Sequence, residues 1–301
     1  MNALVLINKP VDFRSSQCVS IVRKKLRLHK AGHAGTLDST ASGLLVVLTG
    51  NATRFAEFVM SLPKVYRAVI QFGAETNTYD YSGDIISENG YGDFDGIILP
   101  EALYHFSGYR MQSPPAVSAV KIDGQPAYKL ARSGQEVEMK ARPVFFRRIK
   151  ILKPYNPDDG TITLEVHCGR GTYIRSLAHD LGKIAGTGAY VKSLVRISTG
   201  LFTLDDAKSP DEDIVPLTLE RLAENFTRIY VSEKDERSFT NGLSILIRQA
   251  VKVSRGVTVN GSICVEGENF LGFGSYAGYD YVKPDVIVPK DILPDYLEAT
   301  C

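Results

Sequence analysis

Apolar and polar positions alternate over 64–72 and 161–168, which predicts two amphipathic strands. In the first, Tyr66, Ala68, Ile70 and Phe72 share a face; in the second, Ile162, Leu164, Val166 and Cys168 do. Val5 to Ile7 reads as a short buried strand ended by Lys9-Pro10, and Leu44 to Leu48 as a fully buried one. The period becomes helical at two places. After Pro10, Ser15 or Ser16 can cap a helix whose stripe is Cys18, Val19, Val22 and Leu26. Beyond Gly169 and Gly171 a second helix starts near Thr172, with Ile174, Leu177, Ala178 and Leu181 as its stripe. Between the N-terminal elements, Gly32 to Gly43 reads GHAGTLDSTASG. That stretch is too rich in Gly, Ser and Thr for a helix interior, so a loop is predicted.

Strands outnumber helices and do not alternate with them regularly, so the expected class is α+β around a mainly antiparallel central sheet, not a doubly wound one. The acidic, proline-containing stretch Asp205 to Pro216 marks the expected end of the main domain. Beyond about Arg228, short strand-like runs with glycine punctuation, such as Val257 to Val265 and Phe270 to Phe273, predict a small β-rich domain. The expected division is 1–227 and 228–301, with no internal repeat. With 301 residues and 44% hydrophobic composition, the chain can build one large core and a small appended domain.

Charge narrows the possible partners. Acids and bases nearly cancel to a formal +1, so no global basic field points to nucleic acid, and any RNA site must be local. Two stretches are locally basic. Arg14 to Lys30 holds seven Arg, Lys or His residues and no acid. Lys140, Arg142, Arg147, Arg148 and Lys150 form a second cluster interleaved with Phe145 and Phe146, an arrangement that suits a strand with one face in the core and one on phosphates. Cys18, Cys168, Cys264 and Cys301 lie far apart with no C-x-x-C spacing, which argues against a disulfide framework and a zinc site. His29 and His33 have a metal-like spacing but no Glu between them and no third ligand nearby, so no metal is expected. The N-terminal MNALVLINKP lacks a basic leader region and its apolar run stops at Lys9-Pro10; elsewhere the longest apolar run, Leu44 to Leu48, is far short of the roughly 20 residues of a membrane helix. A cytoplasmic protein without membrane attachment is expected.

The loop gains meaning from its surroundings. Asn8-Lys9-Pro10 precedes a helix; then come Lys30-Ala31-Gly32-His33-Ala34-Gly35-Thr36-Leu37-Asp38 and Ala41-Ser42-Gly43-Leu44-Leu45. This resembles the TruB family of pseudouridine synthases, in which a K-P pair precedes a helix and a G-H-x-G-T-L-D-P-x-A-x-G-V-L loop. The likeness continues through Lys64-Val65-Tyr66-Arg67, Ser113 to Lys121 (SPPAVSAVK), Ala141-Arg142-Pro143, and Gly171 to Gly182 (GTYIRSLAHDLG). The motifs fall in order over about the first 200 residues. The C-terminal part is similar only in position and general character, and the resemblance implies a PUA-like RNA-binding role for it.

The resemblance implies the pseudouridine synthase fold and a reaction that detaches uracil from ribose, turns the ring and rejoins it through carbon, with no cofactor. It implies a monomer whose partner is tRNA, read at the T loop by shape and splayed bases, with the uridine at position 55 as target. Asp38 matches the catalytic carboxylate. Such a group must be ionised at neutral pH, which a nearby guanidinium favours; Arg175 matches the family's arginine, near a helix start whose positive end acts in the same sense. Tyr66 matches the active-site tyrosine that packs on the base, and Tyr173 and Leu194 match positions lining the uracil pocket. His33 matches a residue that occupies or braces the space left by the flipped nucleotide. RNA contacts are expected from Arg14, Lys30, Arg142, Arg147 and Arg148. One position departs from the pattern: the residue after the catalytic Asp is usually Pro and here is Ser39. That leaves Asp38 less restricted by the backbone, although the hydroxyl of Ser39 can be offered to it in exchange. Two other readings remain open. One is a tRNA-folding chaperone without turnover, against which the intact set Asp38, Tyr66 and Arg175 argues. The other is a relative acting on other RNAs, including the guide-RNA-dependent branch, whose longer basic tails contrast with the acidic segment Asp291 to Glu298.

Overall fold

The two alternating stretches fold as adjacent antiparallel strands over the predicted spans, Lys64–Phe72 and Thr161–Cys168, with Ile162 opposite Ile70 and Val166 opposite Tyr66. In this computed structural model the described residues are 1–118, 121–122, 125–126, 139–254, 256 and 261–290. Ala119 and Val120 of the SPPAVSAVK motif, positions 257–260 and Cys301 lie outside them. The chain divides into two units: Met1–Ser39, Gly43–Leu62 and Ser198–Cys301 form the first, Thr40–Ser42 and Pro63–Ile197 the second.

In the first unit, strand β1 (Leu4–Lys9) is followed by helix α1 (Ser15–Lys25) and strands β2 (Ala31–His33) and β3 (Ala41–Thr49). Strand β3 pairs antiparallel with β1 on one side and β2 on the other. It begins three residues before Leu44, inside the predicted loop, because Gly43 pairs with Lys9 and continues the ladder. Here strand pairing overrides the poor strand propensity of Gly and Ser. Both faces of β3 are covered, which accounts for its unbroken apolar run. Val47 and Leu45 pack with Val5, Ile7 and the α1 residues Cys18 and Val22. Leu44, Val46 and Leu48 pack with Phe55, Phe58, Phe226 and Phe273. The N-cap of α1 is Arg14, not Ser15 or Ser16. Gln17 takes the Arg14 amide in a capping box, which leaves the Ser15 hydroxyl available elsewhere.

A six-stranded sheet closes this unit, in the order Ile245–Leu246, Tyr281–Pro289, Phe270–Tyr276, Ser262–Glu266, Thr227–Tyr230 and Lys252–Ser254. Only the Thr227–Tyr230 and Ser262–Glu266 pair among its described ladders is parallel.

The second unit contains strands β4 (Lys64–Phe72), β5 (Ala74–Thr76) and β6 (Ile85–Glu88), helix α2 (Leu99–Phe106), strands β7 (Gly108–Gln112), β8 (Arg142–Asn156) and β9 (Thr161–Cys168), helix α3 (Ile174–Ala185) and strand β10 (Ala189–Thr199). Its sheet order is β10-β4-β9-β8-β7. Ala68, Ile70, Ile162, Leu164 and Val166 pack against Leu177, Ala178 and Leu181 of α3 and Leu99 and Leu103 of α2. The expected α+β class with mainly antiparallel sheets and a β-rich C-terminal part is the one observed. Among the described residues no helix is long and apolar enough to cross a membrane.

Candidate active site

Asp38 lies in the loop between β2 and β3, half-buried, and the backbone on each side of it is tied down. On one side Ser15, at the start of α1, bonds twice to Leu37: its hydroxyl donates to the Leu37 carbonyl at 2.9 Å and accepts from the Leu37 amide at 3.0 Å. On the other, the Ser39 carbonyl accepts from the Asp12 amide at 2.8 Å and from Lys9 Nζ at 3.5 Å. Lys9 is fully buried, and its ammonium also reaches the carbonyls of Pro10 at 2.8 Å and Phe13 at 2.6 Å. The Lys9 ammonium thus ties the base of the loop to the turn after β1. The dihedral restriction that a proline at 39 supplies is replaced by hydrogen bonds to the flanking residues. His33 closes β2 opposite Val47, half-buried at the entry to the same loop.

The second unit holds the other candidates. Tyr66 sits half-buried on β4 and packs against the core. Leu194 also packs there, from strand β10. Tyr173 precedes α3, and its backbone is held by the Gln112 side chain: the Tyr173 amide donates to Oε1 at 2.8 Å, and Nε2 donates to the Tyr173 carbonyl at 3.0 Å. Ser176 adds a hydroxyl bond to the Ser113 carbonyl at 2.7 Å. Two motifs far apart in sequence are joined by these contacts.

Arg175 is buried in the first turn of α3. Its guanidinium donates to the carbonyls of Thr78 at 3.0 Å and Val117 at 3.1 Å and lies 3.7 Å from the Asp80 carboxylate. Asp80, itself buried, accepts from the hydroxyls of Thr78 at 2.8 Å, Ser82 at 2.7 Å and Thr40 at 3.2 Å, and from the Ser82 amide at 3.0 Å. These donors fix the Asp80 carboxylate beside the guanidinium, and the charge-assisted contact gives Arg175 a fixed orientation. Sequence reasoning missed Asp80, Gln112 and Ser15. Each is a common turn, strand or helix residue whose partner lies 22 or more positions away.

Residues 23–174 match the model of the TruB family pseudouridylate synthase (N terminal domain). The chain is 34% identical to tRNA pseudouridine synthase B of Aquifex aeolicus, with 97% of this chain and 100% of that protein covered. The enzyme of the same name from Clostridium acetobutylicum is 35% identical, with 94% and 99% covered. This chain belongs to the TruB family. The crystal structure of a Cbf5-Nop10-Gar1 complex superposes with a TM-score of 0.67 at 22% identity, covering 95% of this chain and 84% of the matched one, and shows the shared fold.

Two features of this TruB-family chain lie beside the matched positions. Lys64, two residues before Tyr66, is buried and paired in register with Cys168. Burial, with Arg196 acting in the same direction, lowers its pKa to about 7. Between that value and the ordinary 10.5 the unfolded chain holds a proton that the folded chain does not, so stability rises with pH over the interval. We expect the unfolding free energy to increase by about 1–2 kcal/mol between about pH 7 and 8.5 from this group, and Lys64→Met to remove the slope. Denaturant titration at both pH values tests it; an unchanged slope in Lys64→Met would exclude Lys64 as the source. Above that window Cys168 works in the opposite sense, because burial pushes its thiol up to about 12.

The second feature is the basic surface. Arg14, Lys30, Lys140, Arg142, Arg147, Arg148 and Lys150 are all exposed. The expected division of β8 holds for Phe146 in the core and Phe145 outside, where its ring meets Tyr109 at 4.8 Å. It fails at the next two positions. The ladder to β9 shifts register between Phe146 and Arg148, and this bulge turns two successive arginines outward. Both line a cavity of about 440 Å³ with Leu103, Tyr104 and Ile149.

Proposed function

We propose that the chain converts the T-loop uridine at position 55 of tRNA to pseudouridine, with Asp38 as catalytic carboxylate and Tyr66 and Arg175 as its catalytic partners. The observation that carries this reading is the two-sided anchoring of Asp38 in a loop that keeps the family's G-T-L-D motif. In this reading the glycosidic bond from N1 to C1′ breaks, the uracil ring turns, C5 bonds to C1′, and the C5 proton is lost while N1 gains one. His33, Tyr173 and Leu194 with Tyr66 hold the flipped nucleotide, whose extraction costs a few kcal/mol that stacking partly offsets. No cofactor or metal takes part, and the protein acts as a monomer. Relatives of high coverage named tRNA pseudouridine synthase B support tRNA as the substrate.

RNA affinity comes from Arg14 and Lys30 and from the acid-free stretch containing Arg142, Arg147 and Arg148, with the 228–301 segment contributing a PUA-like RNA surface. Exposed arginines beside the aromatic pair Tyr109 and Phe145 suit phosphates and splayed bases. Neutralising Arg147 and Arg148 together is expected to weaken tRNA binding and reduce the slope of log affinity against log salt by about 1–2. An unchanged slope would remove this cluster from the RNA path.

The function itself is tested by incubating the purified protein with unmodified tRNA transcripts carrying uridine or cytidine at position 55, and mapping pseudouridine by chemical labelling. Product at that single uridine, absent from the cytidine transcript, supports the reading. Tight binding without product would favour a folding chaperone.

A further inference from the structure

The turn between β5 and β6 presents two acceptors to Arg175, the Thr78 carbonyl and the Asp80 carboxylate. Tyr79 stands between them. Its φ of 61° is left-handed, an uncommon conformation for a residue with a bulky side chain. Its ring lies flat on the imidazole of His179, with centroids 4.0 Å apart and planes inclined by 15°. His179 is four residues beyond Arg175 on α3, so the two share one helix face. From the other side His179 Nδ1 faces Glu75 Oε1 at 3.1 Å, on the strand that leads into the turn. Helix α3 therefore meets this turn at two points one helical turn apart: Arg175 at its polar acceptors and His179 at its ring.

We propose that Tyr79 and His179 are positioning residues, whose stack holds the turn so that Thr78 and Asp80 meet the Arg175 guanidinium at the site. The inference rests on the reading of Arg175 as the cation of the site. The backbone leaves the turn little alternative while the ring is in place. The Tyr79 amide donates to the Thr76 carbonyl at 3.1 Å, the Tyr79 carbonyl accepts from Val191 at 3.0 Å, and the Tyr81 amide donates to the Val191 carbonyl at 3.0 Å. Those bonds fix where the turn lies along β10. The stack fixes how it faces α3. Relaxation of Tyr79 to a negative φ would rotate the peptide units on both sides of it, which carry the Thr78 carbonyl and the Asp80 side chain. Both rings are neutral at neutral pH, which suits flat stacking. Burial, then Lys183, lowers the His179 pKa against the opposing pull of Glu75 and Asp180; burial, then Glu75 and Asp180, raises that of Tyr79.

The test uses the full chain, unmodified tRNA and single-turnover rates, with tRNA affinity measured alongside. Tyr79→Leu keeps apolar bulk without a flat ring, and Tyr79→Phe keeps the ring. We expect Tyr79→Leu to slow the reaction about tenfold or more with affinity within about twofold, and Tyr79→Phe to restore the rate. Asp80→Asn should also be slow, and adding Tyr79→Leu to it should cost less than about twofold more, because both act through the same contact to Arg175. If Tyr79→Leu does not fold, His179→Leu reads the same stack from the helix side. Full multiplication of the two losses, a wild-type rate for the Leu variant, or a Phe variant as slow as Leu would overturn the proposal. A wild-type rate for Asp80→Asn would instead remove the underlying reading of the Arg175 site.

Discussion

Asp38→Asn is expected to abolish pseudouridine formation, lowering the single-turnover rate by at least about a thousandfold, while tRNA affinity stays within about tenfold. The variant is nearly isosteric and removes one negative charge. The contacts from Ser15 to Leu37 and from Asp12 and Lys9 to Ser39 hold the flanking residues and remain available in the variant. The flanking backbone contacts are kept, and the exposed basic residues proposed to meet phosphate are untouched. A loss confined to the chemical step separates a reacting carboxylate from one that shapes the loop, since a shaping residue would lower binding and stability together. Turnover near wild type in Asp38→Asn would remove Asp38 from its assigned role.

Legibility in the sequence follows from how local each signal is. Strands β4 and β9 have one face on the core and one outside, so their period of two appears in the residues themselves, and both boundaries were predicted as observed. Strand β10 was missed because AYVKSLVRIST buries Ala189 and Val191 and then loses strict alternation, while Leu194 falls at a spacing that also fits a helix. The start of β3 was missed for another reason. Gly43 has no strand preference of its own, and its pairing with Lys9 of β1 draws it into the ladder. The Asp38 loop was legible through its motif, but what holds it was not: Ser15 looked like a helix cap and is a bracket for Leu37. Asp80 sits in a polar turn, TNTYDYSGD, where an acid is unremarkable until Arg175, 95 positions away, is brought beside it.

Arg175→Lys provides the second large effect, and it separates charge from geometry. Lysine keeps the positive charge but has one ammonium in place of a planar fork. Arg175 uses that fork to reach the Thr78 carbonyl, the Val117 carbonyl and Asp80 from one buried position. A single ammonium cannot span acceptors placed around a guanidinium, so at least one buried carbonyl loses its donor, at a cost of about 1–3 kcal/mol in stability. The rate should fall by about a hundredfold or more, because the cation loses its fixed direction and the turn bearing Thr78 and Asp80 loses its anchor on α3. Affinity for tRNA should change little, since Arg175 is buried and phosphate contacts are made by exposed residues. Were charge alone the requirement, Arg175→Lys would retain most of the rate with a modest loss of stability. A rate within about threefold of wild type, beside a clear stability loss in denaturant, would therefore reduce Arg175 to a structural link between helix and turn.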